Sequence, residues 1–162
     1  MRLLASAALL AALIASPALA QNAGQIDAVR RGASCPGCNL FQADLSRLET
    51  RGQNLSRARL RQADLSLAVM NRASFAGADL RDVNAYGGVF SSANFSGADL
   101  TNATFVGTYL QGARFGGANL TGANFSGAEM DRASGLTQRQ LDRACGDQAT
   151  RLPRGLRIPV CH

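Results

Sequence analysis

The chain has 162 residues, with 17 Arg and no Lys, 11 acidic residues, one His and a formal charge of +6. Aromatics are only 6% and Trp is absent, yet hydrophobic residues reach 46%, most of them Ala and Leu. This mixture excludes a layered domain with an aromatic centre, and one His at the C-terminus excludes a Ser-His-Asp triad or a His-rich metal site.

In chain order, residues 1–20 read as a secretory signal peptide. Arg2 is a short positive region, Leu3 to Ile14 is an apolar run, and Ala18-Leu19-Ala20 is a small-x-small cleavage site before Gln21. The run is shorter than the ~20 residues of a spanning helix, so no membrane span is expected after cleavage. Loss of Arg2 leaves 162 − 20 = 142 residues with charge +5, destined for the periplasm or the medium. Residues 21–37 are read as an N-terminal cap, with Ile26 and Val29 three apart on a short helix.

From 38 to 135 the sequence repeats every five residues. Stepping by five from Leu40 to Met130 meets Leu, Phe or Met at 17 of 19 positions, without insertion or deletion. Ala stands two before the centre at 13 of those 19 places. Asn or Asp is common one before, as in Asp44, Asp79 and Asn94, and Gly is common two after, as in Gly77, Gly97 and Gly107. Neither the helical period of 3.6 nor the strand period of 2 fits. A five-residue unit with two inward residues has to turn a corner each time, and Gly, Asn, Asp and Ser suit such corners. Stacked coils held by strand-type hydrogen bonds make a solenoid.

Ala-Asp-Leu-Ser-Arg at 43–47, Ala-Asn-Leu-Thr-Gly at 118–122 and Ala-Asn-Phe-Ser-Gly at 93–97 and 123–127 resemble pentapeptide-repeat proteins. The resemblance implies an all-β solenoid, a right-handed quadrilateral β-helix of four to five coils, four pentads to a coil, with short helical caps. Residues 20 apart then stack: Leu40, Leu60, Leu80, Leu100 and Leu120 form one column, and Leu55, Phe75, Phe95 and Phe115 another. Two centres break the pattern, Thr50 and Ala85, and each has a larger residue two before it, Leu48 and Val83, as constant core volume demands.

Residues 136–162 are expected to form a C-terminal cap. Thr137-Gln138-Arg139-Gln140 has the spacing of a capping box before a short helix, and Pro153 and Pro159 make the rest extended. The 136–147 run is similar to C-terminal segments of secreted bacterial pentapeptide-repeat proteins. Cys35, Cys38, Cys145 and Cys161 flank the repeat as two pairs. In an oxidising compartment they read as disulfides, and of three connectivities Cys35–Cys38 with Cys145–Cys161 is preferred because the array holds the pairs apart. Cys-Pro-Gly-Cys also raises a thiol-redox alternative, which lacks a βαβ context, and a zinc site, which lacks a second ligand pair.

For function, the sequence favours a non-catalytic interaction or scaffold surface in the cell envelope, with no cofactor and no metal. No nucleophile lies near a base, and Asp44 with Asp64 read as solvated ladder positions. Some members of the resembled family mimic DNA and protect topoisomerases; that role needs an acidic cytoplasmic rod, so nucleic-acid mimicry is not expected of a basic, exported chain. Arg57, Arg59, Arg61 and Arg81 are candidate anion-binding residues for a phosphate-bearing envelope component. The 20-residue register gathers Leu67, Val69, Tyr86, Val89, Val106 and Tyr109 into one outward apolar patch, the candidate surface for a protein partner or self-association. Burial of that patch under the C-terminal tail is the structural alternative.

Overall fold

The structure is a computed structural model that describes residues 22–162; the expected leader and its cleavage junction lie outside the described residues. The chain winds into a right-handed, four-sided β-helix. Parallel bridges join residues 20 apart in unbroken series, such as Asn39 to Arg59, Arg59 to Asp79, Asp79 to Asp99 and Asp99 to Asn119. We number the sides by the outward residue just before each centre. Side 1 carries that series, side 2 runs from Asp44 to Asn124, side 3 from Glu49 to Glu129, and side 4 from Asn54 to Ser134. Among the described residues, regular strands are confined to side 3, where β1 (Glu49–Arg51) pairs in parallel with β2 (Val69–Asn71).

The five-residue unit follows from its hydrogen bonds. Each centre donates to the next coil, as Leu60 does to the Asp79 carbonyl at 2.8 Å, and the outward residue before it donates back, as Asp79 does to Ala58 at 3.0 Å. The two residues after the centre then bend the chain, and the second of them is left-handed. Nine such corners hold a non-glycine residue at φ between 53° and 60°, and most of the others hold Gly. Asn or Asp before the centre closes the corner by accepting the N–H two residues on, as Asp44 does from Ser46 at 3.1 Å and Asn94 from Ser96 at 3.1 Å.

Inside, every Leu or Phe centre from Leu40 to Phe125 is buried. Phe75, Phe95 and Phe115 stack with ring centroids 5.2 Å apart and nearly parallel planes, and Phe90 and Phe105 meet them edge-on. Ala85 is buried beside buried Val83, as the volume argument expects. Thr50 behaves differently. Leu48 packs against the core but stays half-buried, and Thr50 donates its hydroxyl to Gln53 at 3.0 Å, so this break is filled by polar pairing as well as by volume.

Both ends are closed. At the front, α1 (Ala23–Arg30) starts at the Asn22 cap and buries Ile26 and Val29 against the first coil. Gln25 accepts the Asn39 N–H at 2.8 Å, and Arg30 donates to the Asp44 carbonyl at 2.8 Å. At the back, α2 (Gln138–Leu141) carries the expected capping box of Thr137 and Gln140. Residues 143–151 then lay a partial further coil on the last complete one, Phe125 donating to Cys145 and Met130 to Arg151. Val160 bridges to Gly146 beyond that layer.

Candidate functional site

The register places the apolar residues where the sequence puts them. Val69 bridges to Val89 and Val89 to Tyr109, in line down side 3. Leu67, Tyr86 and Val106 flank them at the corner between sides 2 and 3. Leu67 is 46% exposed, Tyr86 55% and Tyr109 41%, while Val69, Val89 and Val106 are half-buried. The patch is continuous at its corner. Gly87 lies directly under Leu67, so that a Cβ there would meet Leu67 Cδ2 at 2.9 Å.

Side 3 differs from the others in its backbone chemistry as well. Sides 1, 2 and 4 each carry Asn or Asp side chains that accept the corner N–H, including Asp99, Asn84 and Asn54. Among the described residues, no residue just before a centre on side 3 accepts such a bond, since Val69 and Val89 have no side-chain oxygen and Tyr109, Glu49 and Glu129 make no such contact; the Ser91 N–H is accepted instead by Asn71 of the neighbouring coil at 3.1 Å. Each such bond contributes about 1 kcal/mol. Side 3 thus lacks the local, same-unit form of this bond and carries a partly exposed apolar stripe bounded by an acid at each end, Glu49 and Glu129.

The tail stays at the C-terminal end. Its hydrogen bonds reach Asn124, Phe125, Ala128, Met130 and Gln138, and it leaves Tyr86 and Tyr109 exposed. The tail-cover alternative is therefore not what the fold does.

The basic candidates separate. Arg81 makes a two-pronged contact with Asp79 at 2.7 and 2.6 Å and approaches Asp99 at 3.8 Å. That hydrogen bond from Arg81 is the main reason the Asp79 carboxyl sits below the usual aspartate range. Arg61 pairs with Asp82 at 3.6 Å. Arg57 sits at a left-handed corner beside Pro36 and Ser56, and Arg59 is exposed on side 1, neither being in these ion pairs.

The cysteines pair as preferred. Cys35 and Cys38 are bonded across the first corner with Cα atoms 5.5 Å apart, and Cys145 and Cys161 with Cα atoms 4.8 Å apart. Cys35 takes the place of a centre and Cys38 that of the small residue, and Cys35 already donates to Asn54 at 2.8 Å. The ladder thus starts at this bond. Nothing in the surroundings of Cys35 and Cys38 supports the thiol-redox reading.

Two end-sealing contacts escape the sequence reading, one made by Gln53 and one by Gln140 of the capping box. Gln53 is 2% exposed and donates to the Val29 and Ala33 carbonyls at 2.9 and 2.7 Å, sealing the helix α1 end. Gln140 does the same at the other end, donating to the Phe115 and Ala118 carbonyls at 2.9 Å. A Gln in an Ala place was the available signal at 53.

A model of pentapeptide repeats matches residues 54–91 and 98–134, in eight copies. The chain belongs to the pentapeptide-repeat family. No curated protein sequence matches it. Among solved pentapeptide-repeat structures it is similar to HetL of the cyanobacterium Nostoc, described as involved in heterocyst differentiation regulation, at 28% identity, TM-score 0.46, over 73% of this chain and 61% of HetL. The chain thus spans about three fifths of HetL's length. It is also similar to Rfr23 of the cyanobacterium Cyanothece (24% identity, TM-score 0.41, 80% of this chain and 97% of Rfr23). A third is a pentapeptide-repeat protein of the Arabidopsis thaliana thylakoid lumen (26% identity, TM-score 0.32, 75% of this chain and 83% of that one).

Proposed function

We propose that this pentapeptide-repeat protein is a non-catalytic, exported scaffold of the cell envelope that binds a protein partner or itself through side 3. The observation that carries this reading is the stripe of Val69, Val89 and Tyr109, set where the other sides hold corner-closing Asn and Asp. A rigid ladder holds these side chains in fixed register, so little ordering entropy opposes binding. Export is read from Arg2, the Leu3–Ile14 run and Ala18-Leu19-Ala20, and two disulfides suit an oxidising compartment. Arg57 and Arg59 serve a secondary reading, an anionic envelope component, because Arg61 and Arg81 already face carboxylates. DNA mimicry is not part of the proposal, since the chain has net charge +5 after loss of Arg2, and DNA binding is not, since an exported chain has little access to it.

Two measurements test it. Changing Val89 and Tyr109 together to Asp is expected to leave the melting temperature within about 2 °C, as both side chains point outward. The same change abolishes capture of envelope proteins by the immobilised chain, or its self-association. Unaltered binding by that variant removes side 3 from the reading. Residues 1–20, placed before a reporter that is active only outside the cytoplasm, should yield activity; a silent reporter removes export.

A further inference from the structure

We propose that the partner of side 3 is a second copy of this chain, docked face to face and antiparallel about a twofold axis that crosses the stripe at Val89. This rests on the reading of side 3 as the binding surface and adds the identity of the occupant.

The charges on either flank of the stripe carry it. The five outward positions of side 3, from Glu49 through Val89 to Glu129, are spaced one coil apart, so Val89 is the midpoint. A twofold axis through it, perpendicular to the rod, sets the first coil of one copy against the fifth of the other. Arg51, at the corner between sides 3 and 4, then faces Asp131 of the second copy, since these are the corresponding corner residues of the two coils. Arg47, at the opposite corner, faces Gly127 of the second copy, next to its Glu129. One end thus brings Arg47, Glu49 and Arg51, net +1, against Glu129, Asp131 and Arg132, net −1, and symmetry repeats the match at the other end. Arg151, one layer further, overhangs the end of the second copy. Glu49 does oppose Glu129, but each is bracketed by the arginines just named. The four ion pairs found within the described residues engage Arg30, Arg61 and Arg81, and leave Arg47, Arg51 and Glu129 out.

The apolar part fits the same axis. Val69 faces Tyr109, Val89 faces Val89, and Tyr86 faces Tyr86. Leu67 stands out from its corner opposite Gly107 of the second copy, a corner with no side chain to obstruct it. The alternative twofold axis, parallel to the rod, fails on charge. Both axes bring two glutamate pairs together, but the parallel one also sets Arg47 against Arg51 at two places and leaves Asp131 opposite Gly127, without an arginine to face. Like charges brought together in this way oppose docking. The face is one side of a short rod, small beside the ~800 Å² per partner of a stable complex, so the dimer belongs to the weak class, with dissociation in the range of about 10–100 μM.

The test is sedimentation of the protein from about 1 to 500 μM at low and high salt. We expect a monomer–dimer equilibrium that weakens with salt, as solvent-accessible charge pairs are screened. Arg51→Glu and Asp131→Arg should each weaken it about tenfold or more, and an equimolar mixture of the two variants should restore it, because both cross-copy pairs are then opposite in sign. Leu67→Gly should weaken it without loss of fold, since its corner, at φ 58°, suits glycine. A photo-crosslinking residue at position 69 should capture the peptide that contains Tyr109. A monomer at every concentration overturns the proposal, as does failure of the charge mixture to restore association. Capture of position 69 by its own counterpart overturns the antiparallel axis. If the Val89/Tyr109 double variant still loses an envelope partner while the parent stays monomeric, the scaffold reading stands and this inference alone falls.

Discussion

At Gly88 the repeat's own preference is a poor guide to stability. The position is the small inward place, filled by Ala at 13 of 19 pentads, and alanine there would look like a return to the pattern. Yet a Cβ at Gly88 would lie 2.5 Å from Phe90 Cε2 and 3.2 Å from the Ala85 carbonyl oxygen. The ring of Phe90 leans into the space the missing methyl leaves, on the coil where Ala85 has given up a large centre. Gly88→Ala should therefore destabilise by about 1–3 kcal/mol, as overpacking does, despite the better propensity of Ala. Thermal denaturation of the pair decides it: an equal or higher melting temperature for the variant would show that Phe90 moves aside freely. The same local view explains the corner residues. Leu67 occupies a left-handed corner at φ 58°, a conformation that disfavours a branched side chain, and it remains nearly half exposed.

The elements that close the rod hold what the repeat alone does not supply. A solenoid ends in unpaired peptide groups, and here side chains satisfy them: Gln25, Arg30 and Gln53 in front, Gln140 and Asp147 behind. The partial coil 143–151 is fastened by Cys145–Cys161, a closure over 16 residues that contributes about 3 kcal/mol in the chain-entropy picture. Cys161→Ser should loosen this cap before the rod. Amide exchange at Phe125 and Met130, which donate to Cys145 and Arg151, should rise strongly while Phe95 stays protected. Uniform loss of protection along the chain would show that cap and rod unfold as one. These elements also mark where the sequence became hard to read. The period of five was legible because each coil presents the same neighbours to the next, and the stacked Phe column follows from counting by 20. At the ends the chain meets partners outside its own register. Gln53 looks like a lapse in an Ala series until helix α1 lies over it. The arginines needed the same counting, since Asp82 neutralises Arg61 from the adjacent coil and a basic cluster in one dimension becomes a mixed ladder in two.

For the whole molecule, the carboxylates tie stability to pH. Asp44, Asp79, Asp131 and Asp147 all ionise more readily than ordinary aspartates, each held first by a hydrogen bond: from Ser46, Arg81, Gln111 and the Gly127 N–H respectively. A carboxyl whose folded value is depressed stabilises the fold above the unfolded value of about 4 and loses that contribution as pH falls through the folded value. The unfolded chain binds more protons in that window, so stability falls on acidification. The melting temperature should be flat from about pH 5 to 7 and drop below about pH 4. A rise on acidification would show that like-charge repulsion among these carboxyls outweighs their hydrogen bonds.

A parallel ladder has no intrinsic length, because each finished coil is a template for another. Such an edge, left bare, recruits any extended chain that meets it, and the outcome is a fibre. In this protein the last layer is Val160, bridged to Gly146 and flanked by Pro159, which has no N–H to offer, and by Cys161, covalently bound to the layer beneath. The disulfide cap thus acts as a stopper: it covers the edge on which a foreign strand would add, and reduction is expected to uncover that edge and make the rod a seed.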